Sequence, residues 1–469
     1  MEQKLEKKYG LLTAICMVVG IVIGSGVFFK AQDILNYTGG NMLLGILAWV
    51  IGGVVMLICV LNFANLATRY EKVNGLVDYA EATVGEGYAY CMAWFLSTIY
   101  YPSMTGVLAW VCARYTLVLF GSDDITGGLC IALAAAYMAG AYTLNTLAPK
   151  LSGKFQVSTT FIKMVPLALM IVVGLIAGLI NGNTIEAFTK TTTDAVSHSP
   201  LLAGVVAAAF AYEGWVIATS INAELKNAKR NLPIALTVGC IIIAGIYITY
   251  FVGLSGATSV EDLQQNGSTA AFKALFGNVA GTILNLFVVI SCLGTLNGLM
   301  IASTRGMYSV AARGHGPKPE VMREVSPTTN MPTNASVVGL LLCALWLFYF
   351  YGANLTTPIF GAFSFDSSEL PIITIYGMYI PIFMMCIVRH GKEHIFRNIV
   401  MPSLGIVACC FMVFAAFYAH GISPYLAAKE NGEFAFPVLF YLVVFATIMT
   451  FGVFFYRKPS PLGLKEPKD

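Results

Sequence analysis

Two glycine-centred interruptions in long apolar runs are the places where this chain could do chemistry. The run from Leu11 reads LLTAICMVVGIVIGSGVFFKAQDILNYTGG, with Gly24-Ser25-Gly26 in its middle. The run from Leu201 reads LLAGVVAAAFAYEGWVIATSINAEL, with Gly214 in its middle. Gly24 and Gly214 each fall thirteen residues after the leucine that opens the run. A helix broken at membrane depth leaves backbone N–H and C=O groups that hydrocarbon cannot satisfy and a bound polar ligand can. The half-helix starting after Gly26 would turn its positive end to the break and stabilise a carboxylate; the half-helix ending near Phe210 would offer carbonyls to an ammonium group. One α-amino acid carries both groups. Other glycines of the apolar runs (Gly52-Gly53, Gly174, Gly204, Gly239) read as places where neighbouring helices pack closely.

Charges inside the apolar runs are the second signal. Lys163 sits in FIKMVPLALMIVVG, where a charge near the bilayer centre costs about 2.5–3.5 kcal/mol on insertion scales and so calls for a partner or a purpose. It either supplies a fixed positive charge beside the broken helix or snorkels structurally. Glu213 precedes Gly214 and has two readings. It pairs with a tyrosine or lysine outside the pocket, or it faces the ligand and favours cationic side chains. Asp366 and Glu369 are expected to cap the helix that follows them. Asn297 is expected to hydrogen-bond between helices, while Lys154 and Arg305 read as cytoplasmic anchors. Tyr100, Tyr101, Tyr212 and Tyr247 are candidates for the pocket wall.

These groups need helices to hold them, and the composition supplies helices that live in lipid. Of the 469 residues 57% are hydrophobic and 11% charged, with a mean hydropathy of +0.75, against roughly 25% charged residues in soluble domains. Twelve apolar runs are read at 11–37, 42–67, 87–120, 125–147, 155–181, 200–225, 233–256, 278–308, 335–352, 368–388, 398–420 and 434–456. Most have the ~20 residues a helix needs to cross a bilayer, and the alternation of barrel strands is absent. With both ends placed in the cytoplasm, inside segments hold 21 Lys and Arg against 5 outside, as basic residues prefer. Five spans separate the starts of the two broken runs, so the second unit is reversed in the membrane. That predicts an all-α integral membrane protein with an inverted repeat of five helices plus five, 11–181 and 200–388. A pair at 398–456 is added, with short cytoplasmic ends at 1–10 and 457–469.

At these residues the sequence resembles the amino acid–polyamine–organocation transporter superfamily, L-type amino acid transporter branch, and is similar to bacterial alanine–serine–cysteine exchangers of that branch. GIVIGSGVFF (Gly20 to Phe29), FAYEGW (Phe210 to Trp215), ELKNAKRNLPIAL (Glu224 to Leu236) and CLGTLNGLMIASTRGMYSVAARGHGP (Cys292 to Pro317) carry the resemblance, in family order. Two positions depart: Glu213 stands where the motif has glycine, and Ala228 where the loop has proline. The resemblance implies the leucine-transporter fold, with substrate held between the unwound parts of spans 1 and 6. It implies that amides around Ser25, Gly26 and Val27 hold the carboxylate, and that carbonyls near Val22, Ile23, Phe210 and Ala211 take the amino group. Tyr212, Glu213 and Gly214 complete that wall, and Phe210 is the aromatic lid. It further implies that Lys163 replaces a coupling sodium ion, reaching carbonyls around Val18 to Gly20 and the hydroxyls of Ser303 or Thr304.

The function so implied is sodium-independent exchange of small neutral amino acids such as alanine, serine or cysteine across the plasma membrane. A proton-coupled symporter or a cationic amino acid or amine carrier of the same fold is the alternative. An enzyme would need a cluster of His, Asp or Glu, and the five histidines show no ligand spacing. A channel would show a pore motif or rings of charge. No metal or cofactor is expected, and the eleven cysteines read as packing thiols. No cleaved signal peptide is expected at the N-terminus. The loop 121–127 has no cysteine for a heavy-chain partner, so the chain is expected to work alone, as a monomer, with an amino acid and the bilayer as its only partners.

Overall fold

The structure, a computed structural model, describes residues 10–70, 75–189, 198–215, 225–327, 331–355, 357–391 and 393–456. Among them there are helices and connecting turns and no strand. The helices are α1 Leu11–Val22, α2 Gly26–Tyr37, α3 Met42–Arg69, α4 Leu76–Thr83, α5 at 86–119 and α6 Gly128–Leu147. They continue with α7 Pro149–Asn181, α8 Asn183–Thr189, α9 Pro200–Tyr212, α10 Ala228–Ala257 and α11 Val260–Ala312. The last four are α12 Thr333–Ala353, α13 Leu370–His390, α14 Phe396–Glu430 and α15 Pro437–Val453.

Eight of these (α3, α6, α7, α10, α11, α12, α13 and α14) are long and apolar enough to cross a membrane. Shorter apolar helices lie at Leu11–Gly20, Pro200–Tyr212 and Pro437–Val453. The first two are short because their runs are broken, as the mid-run glycines predict. The second half of the run 200–225 and nearly all of both chain ends lie outside the described residues. In α11, positive φ at Gly267 and Gly277 bends the chain, so the straight helix starts at 278, where the sequence places its span, and runs four residues further than expected.

Glycines expected to let helices pack do meet neighbours. A Cβ on Gly239 would stand 2.7 Å from Val18, one on Gly52 3.2 Å from Ala208, and one on Gly204 3.0 Å from Ala48. Gly174 of α7 lies against Gly253 of α10, backbone to backbone. In lipid this close contact replaces the hydrophobic effect as the source of helix association. Polar cross-links add to it. Asn297 of α11 meets Asn145 of α6 at 3.1 Å and donates to Ser152 of α7 at 3.1 Å, the interhelical role its position suggested. The outer face of α7, with Phe161, Val172, Ile176, Leu179 and Ile180 exposed, is apolar enough to face lipid tails.

Candidate functional site

The two breaks have related geometry. At the end of α1 the Ile23 amide still donates to the Val19 carbonyl at 2.9 Å, and the chain then turns extended, with ψ 105° at Ile23. α2 restarts at Gly26, and Phe28 donates to the Ser25 carbonyl at 3.0 Å. The Gly26 and Val27 amides open that helix and have no carbonyl one turn back. At the end of α9, Glu213 is extended (ψ 158°) and Gly214 takes a φ of +110°, which side chains other than hydrogen make costly.

The breaks also touch. A Cβ on Gly26 would stand 2.9 Å from Ala211 Cα and 3.3 Å from the Phe210 ring, so only glycine lets α2 begin against the end of α9. The hydroxyl of Tyr247 on α10 lies between the two, 3.2 Å from the Val22 carbonyl and 3.0 Å from the Ala211 carbonyl. Its one O–H can therefore donate to an acceptor that either break has freed, and it links the two.

A cavity of about 280 Å³ sits at this junction. Val22, Gly24, Ser25 and Gly26 line it from the first break, and Phe210, Ala211, Glu213 and Gly214 from the second. Tyr100, Met104 and Leu108 of α5, Gln156 and Lys163 of α7, Ile372 of α13 and Thr295, Gly298, Leu299 and Ile301 of α11 complete the wall. The wall is largely apolar, with a few polar side chains from the breaks (Ser25, Glu213) and from the helices around them (Tyr100, Gln156, Lys163, Thr295), as in small-molecule sites. Tyr100 and Gly214 line the cavity beside Glu213. The Glu213 Oε2 is buried with no partner among the described residues. Lys163, 4% exposed, donates from Nζ to the Gly20 carbonyl at 2.7 Å.

Five expected residues have side chains that lie elsewhere. The side chains of Ile23 and Val27 are fully buried and absent from the cavity wall, which leaves only their backbone for a ligand. Tyr212 donates to the Trp49 carbonyl at 3.0 Å and packs on the rings of Trp49 and Tyr247. One residue past Ala211, the helix has turned it towards α3. Ser303, expected beside Lys163, shares a hydrogen bond with Thr105 of α5 at 2.9 Å. Thr304, expected there too, donates to the Ile301 carbonyl at 3.0 Å. The face of α11 turned to α7 carries Gly294 and Gly298 instead, against Thr159 and Gln156.

Phe210, the expected lid, meets Phe29 edge to face with centroids 5.1 Å apart. Lys30 stands over both rings at 5.3 Å. Sequence reasoning missed what holds Lys30. Its ammonium is 2.6 Å from Glu369 Oε1 and 3.1 Å from Asp33, and Glu369 Oε2 is 2.9 Å from His420 Nε2. Asp366 does cap, accepting from the Ser368 and Glu369 amides at 2.6 and 3.1 Å. Glu369 does not cap; it joins α13 to α2 and α14. The order Lys30, Glu369, His420 along the chain carries no periodic signal that could have paired them. Among the described residues no group of His, Cys, Asp and Glu is arranged to hold a metal ion.

The chain matches the model of the amino acid permease family over residues 9–454. It is 28% identical over 411 residues to the serine/threonine exchanger SteT of Bacillus subtilis, covering 86% of this chain and 89% of that one. It is 27% identical over 450 residues to the human b(0,+)-type amino acid transporter 1, covering 93% and 86%. Among solved structures it resembles MhsT in complex with L-phenylalanine, with a TM-score of 0.57 at 14% identity over 88% of this chain and 99% of that one, a likeness of fold.

Proposed function

The chain belongs to the amino acid permease family, and from that membership we propose that it exchanges small neutral L-amino acids, such as alanine, serine or cysteine, by sodium-independent alternating access. It is a membrane transporter and not an enzyme. The observation that carries the finer reading is the junction of the two breaks around one cavity, with Gly26 against Ala211 and Tyr247 on a carbonyl of each. Free amides at Ser25, Gly26 and Val27 hold the substrate carboxylate. Carbonyls at Val22, Ile23, Phe210 and Ala211 take its ammonium group, beside Gly214. The volume of about 280 Å³ lies at the low end of ligand pockets and suits a small side chain.

In this reading the chain has twelve spans, arranged as the reversed units 11–181 and 200–388 with the pair 398–456 added. Both ends are cytoplasmic, the membrane is the plasma membrane, and the monomer works without a heavy chain. Phe29 and Phe210 close the outer side. Lys163 on the Gly20 carbonyl supplies the positive charge that a coupling cation would otherwise bring, which supports sodium independence. The free Oε2 of Glu213 on the cavity wall favours a second reading, a carrier of cationic amino acids. Uptake of radiolabelled L-alanine into proteoliposomes, with and without sodium and with or without unlabelled L-alanine inside, tests the first. Uptake that needs the internal amino acid and ignores sodium supports it. Sodium-driven uptake into empty vesicles sinks it, and inhibition by L-arginine stronger than by L-serine favours the second.

A further inference from the structure

Where α3 ends and α10 and α14 begin, these three helices line a cavity of about 410 Å³ that shares no residue with the central one. Lys229 and Arg230 from the first turn of α10 and Arg397 from the first turn of α14 stand on its wall, and no Asp or Glu does. Among the described residues none of the three cations makes an ion pair or a side-chain hydrogen bond. Glu393, just before α14, is taken by Arg69 and His390. Nor do these cations serve their own helices, since a first turn is the positive end of the helix dipole. The polar groups that α3 brings are already engaged. Asn65 donates to the Arg397 carbonyl at 3.4 Å and to Asn398 at 3.1 Å, and the Thr68 hydroxyl donates to the Asn65 carbonyl at 2.7 Å. The free side-chain charge of this cavity is therefore wholly positive.

The rest of the wall is apolar, with Leu61 and Ala64 from α3, Pro233 and Ile234 from α10 and Phe396 and Met401 from α14. Arg230, Ile234, Thr237 and Ile241 recur at helical spacing, so they share one face of α10. Ile241 is exposed, and at 1.5 Å per residue it lies roughly 16 Å further along the helix than Arg230. On α14 the exposed Phe396, Val400 and Leu404 run the same way from Arg397. An apolar strip thus leads from the three cations into the lipid-facing surface. The cations ask for an anion and the strip asks for hydrocarbon. A soluble anion answers only the first.

We propose that this cavity binds one anionic phospholipid, its phosphate on Lys229, Arg230 and Arg397 and an acyl chain along the exposed strip of α10. In the orientation proposed above the cavity opens at the cytoplasmic leaflet, where basic pockets between spans meet anionic headgroups. The bound lipid bridges α3, α10 and α14 at that end of the molecule.

Native mass spectrometry of the purified full-length chain in detergent tests this. The probes are dioleoyl phosphatidic acid, dioleoyl phosphatidylcholine, which has the same chains and no net charge, and inorganic phosphate. One phosphatidic acid per chain is expected, held about 10- to 100-fold more tightly than phosphatidylcholine. Arg230→Gln with Arg397→Gln is expected to weaken it by about 10- to 100-fold. Lys150→Gln with Lys154→Gln removes two exposed charges that the same orientation also places in the cytoplasm, and is expected to leave binding unchanged. Equal weakening in the two double variants overturns the site, because basic charge anywhere on this face would then suffice. Phosphatidylcholine held as tightly as phosphatidic acid overturns it as well. Displacement of phosphatidic acid by an excess of inorganic phosphate assigns the cations to a soluble anion and overturns the lipid. If a variant fails to fold, the three probes on the wild-type chain still decide.

Discussion

The two sides of the break between α1 and α2 each bury a lysine, and they neutralise it by different means. After the break, Lys30 is enclosed by Glu369 and Asp33, with His420 on the far oxygen of Glu369. Before the break, Lys163 has the Gly20 carbonyl as its hydrogen-bond partner. Charge meets charge on one side, and charge meets a backbone dipole on the other. A buried ion pair is costly to break by removing one partner. A lysine on a single carbonyl is cheaper to lose, because its own desolvation is relieved when it goes. The difference teaches that α2 is tied to α13 and α14 by paired charges, while α1 is tied to α7 by a hydrogen bond from an ammonium to a backbone carbonyl.

The largest expected effect breaks the strong side. Glu369→Ala leaves Lys30 with the partly exposed Asp33 and the Ser368 hydroxyl and is expected to destabilise the fold by about 3–5 kcal/mol, read by thermal unfolding in detergent. Replacing the pair by apolar residues, Lys30→Met with Glu369→Leu, is expected to recover most of that loss. If the double variant is as unstable as the single one, packing rather than charge holds this side.

Next in size is the junction itself. Tyr247→Phe removes the hydroxyl between the Val22 and Ala211 carbonyls and is expected to cost about 1–3 kcal/mol, with exchange slowed accordingly. Unchanged exchange and stability would mean that the junction does not depend on this hydroxyl. Lys163→Ala sharpens the comparison from the weak side. Its stability is expected to change by about 1 kcal/mol or less, as the lost hydrogen bond and the relieved charge offset each other, while exchange slows or leaks. A loss as large as that of Glu369→Ala would erase the distinction between the two lysines. The smallest expected effect is that of Glu213→Gln, which should change rate more than selectivity because Oε2 is buried rather than open to the cavity. Loss of arginine or lysine recognition with alanine spared would assign Glu213 to the substrate.

What the sequence made legible follows from locality. The breaks at Gly24-Ser25-Gly26 and Gly214 announce themselves, because glycine in the middle of an apolar run has a local conformational meaning. Lys163 announces itself by the cost of its charge, and its reach to Gly20 falls within the expected stretch. The direction of a side chain around its helix is not local. Tyr212 faces Trp49 and Ser303 faces Thr105 because of how α9 and α11 are rotated against their neighbours. The cluster of Lys30, Glu369 and His420 was illegible for the same reason. Lys30 and Glu369 stand 339 residues apart, and their common position exists only after α2, α13 and α14 have packed. Span count by length and apolarity also understates a broken helix, since each half of the run is too short to qualify alone.

The central claim is that the two helix ends recognise the two charges of one amino acid separately. Its most direct test is competition for exchange of radiolabelled L-alanine in proteoliposomes by propionate, which has the acid alone, by cadaverine, which has amines alone, and by L-serine, which has both groups. The account predicts strong competition by L-serine and none by the other two. Competition by propionate or cadaverine equal to that of L-serine would contradict it.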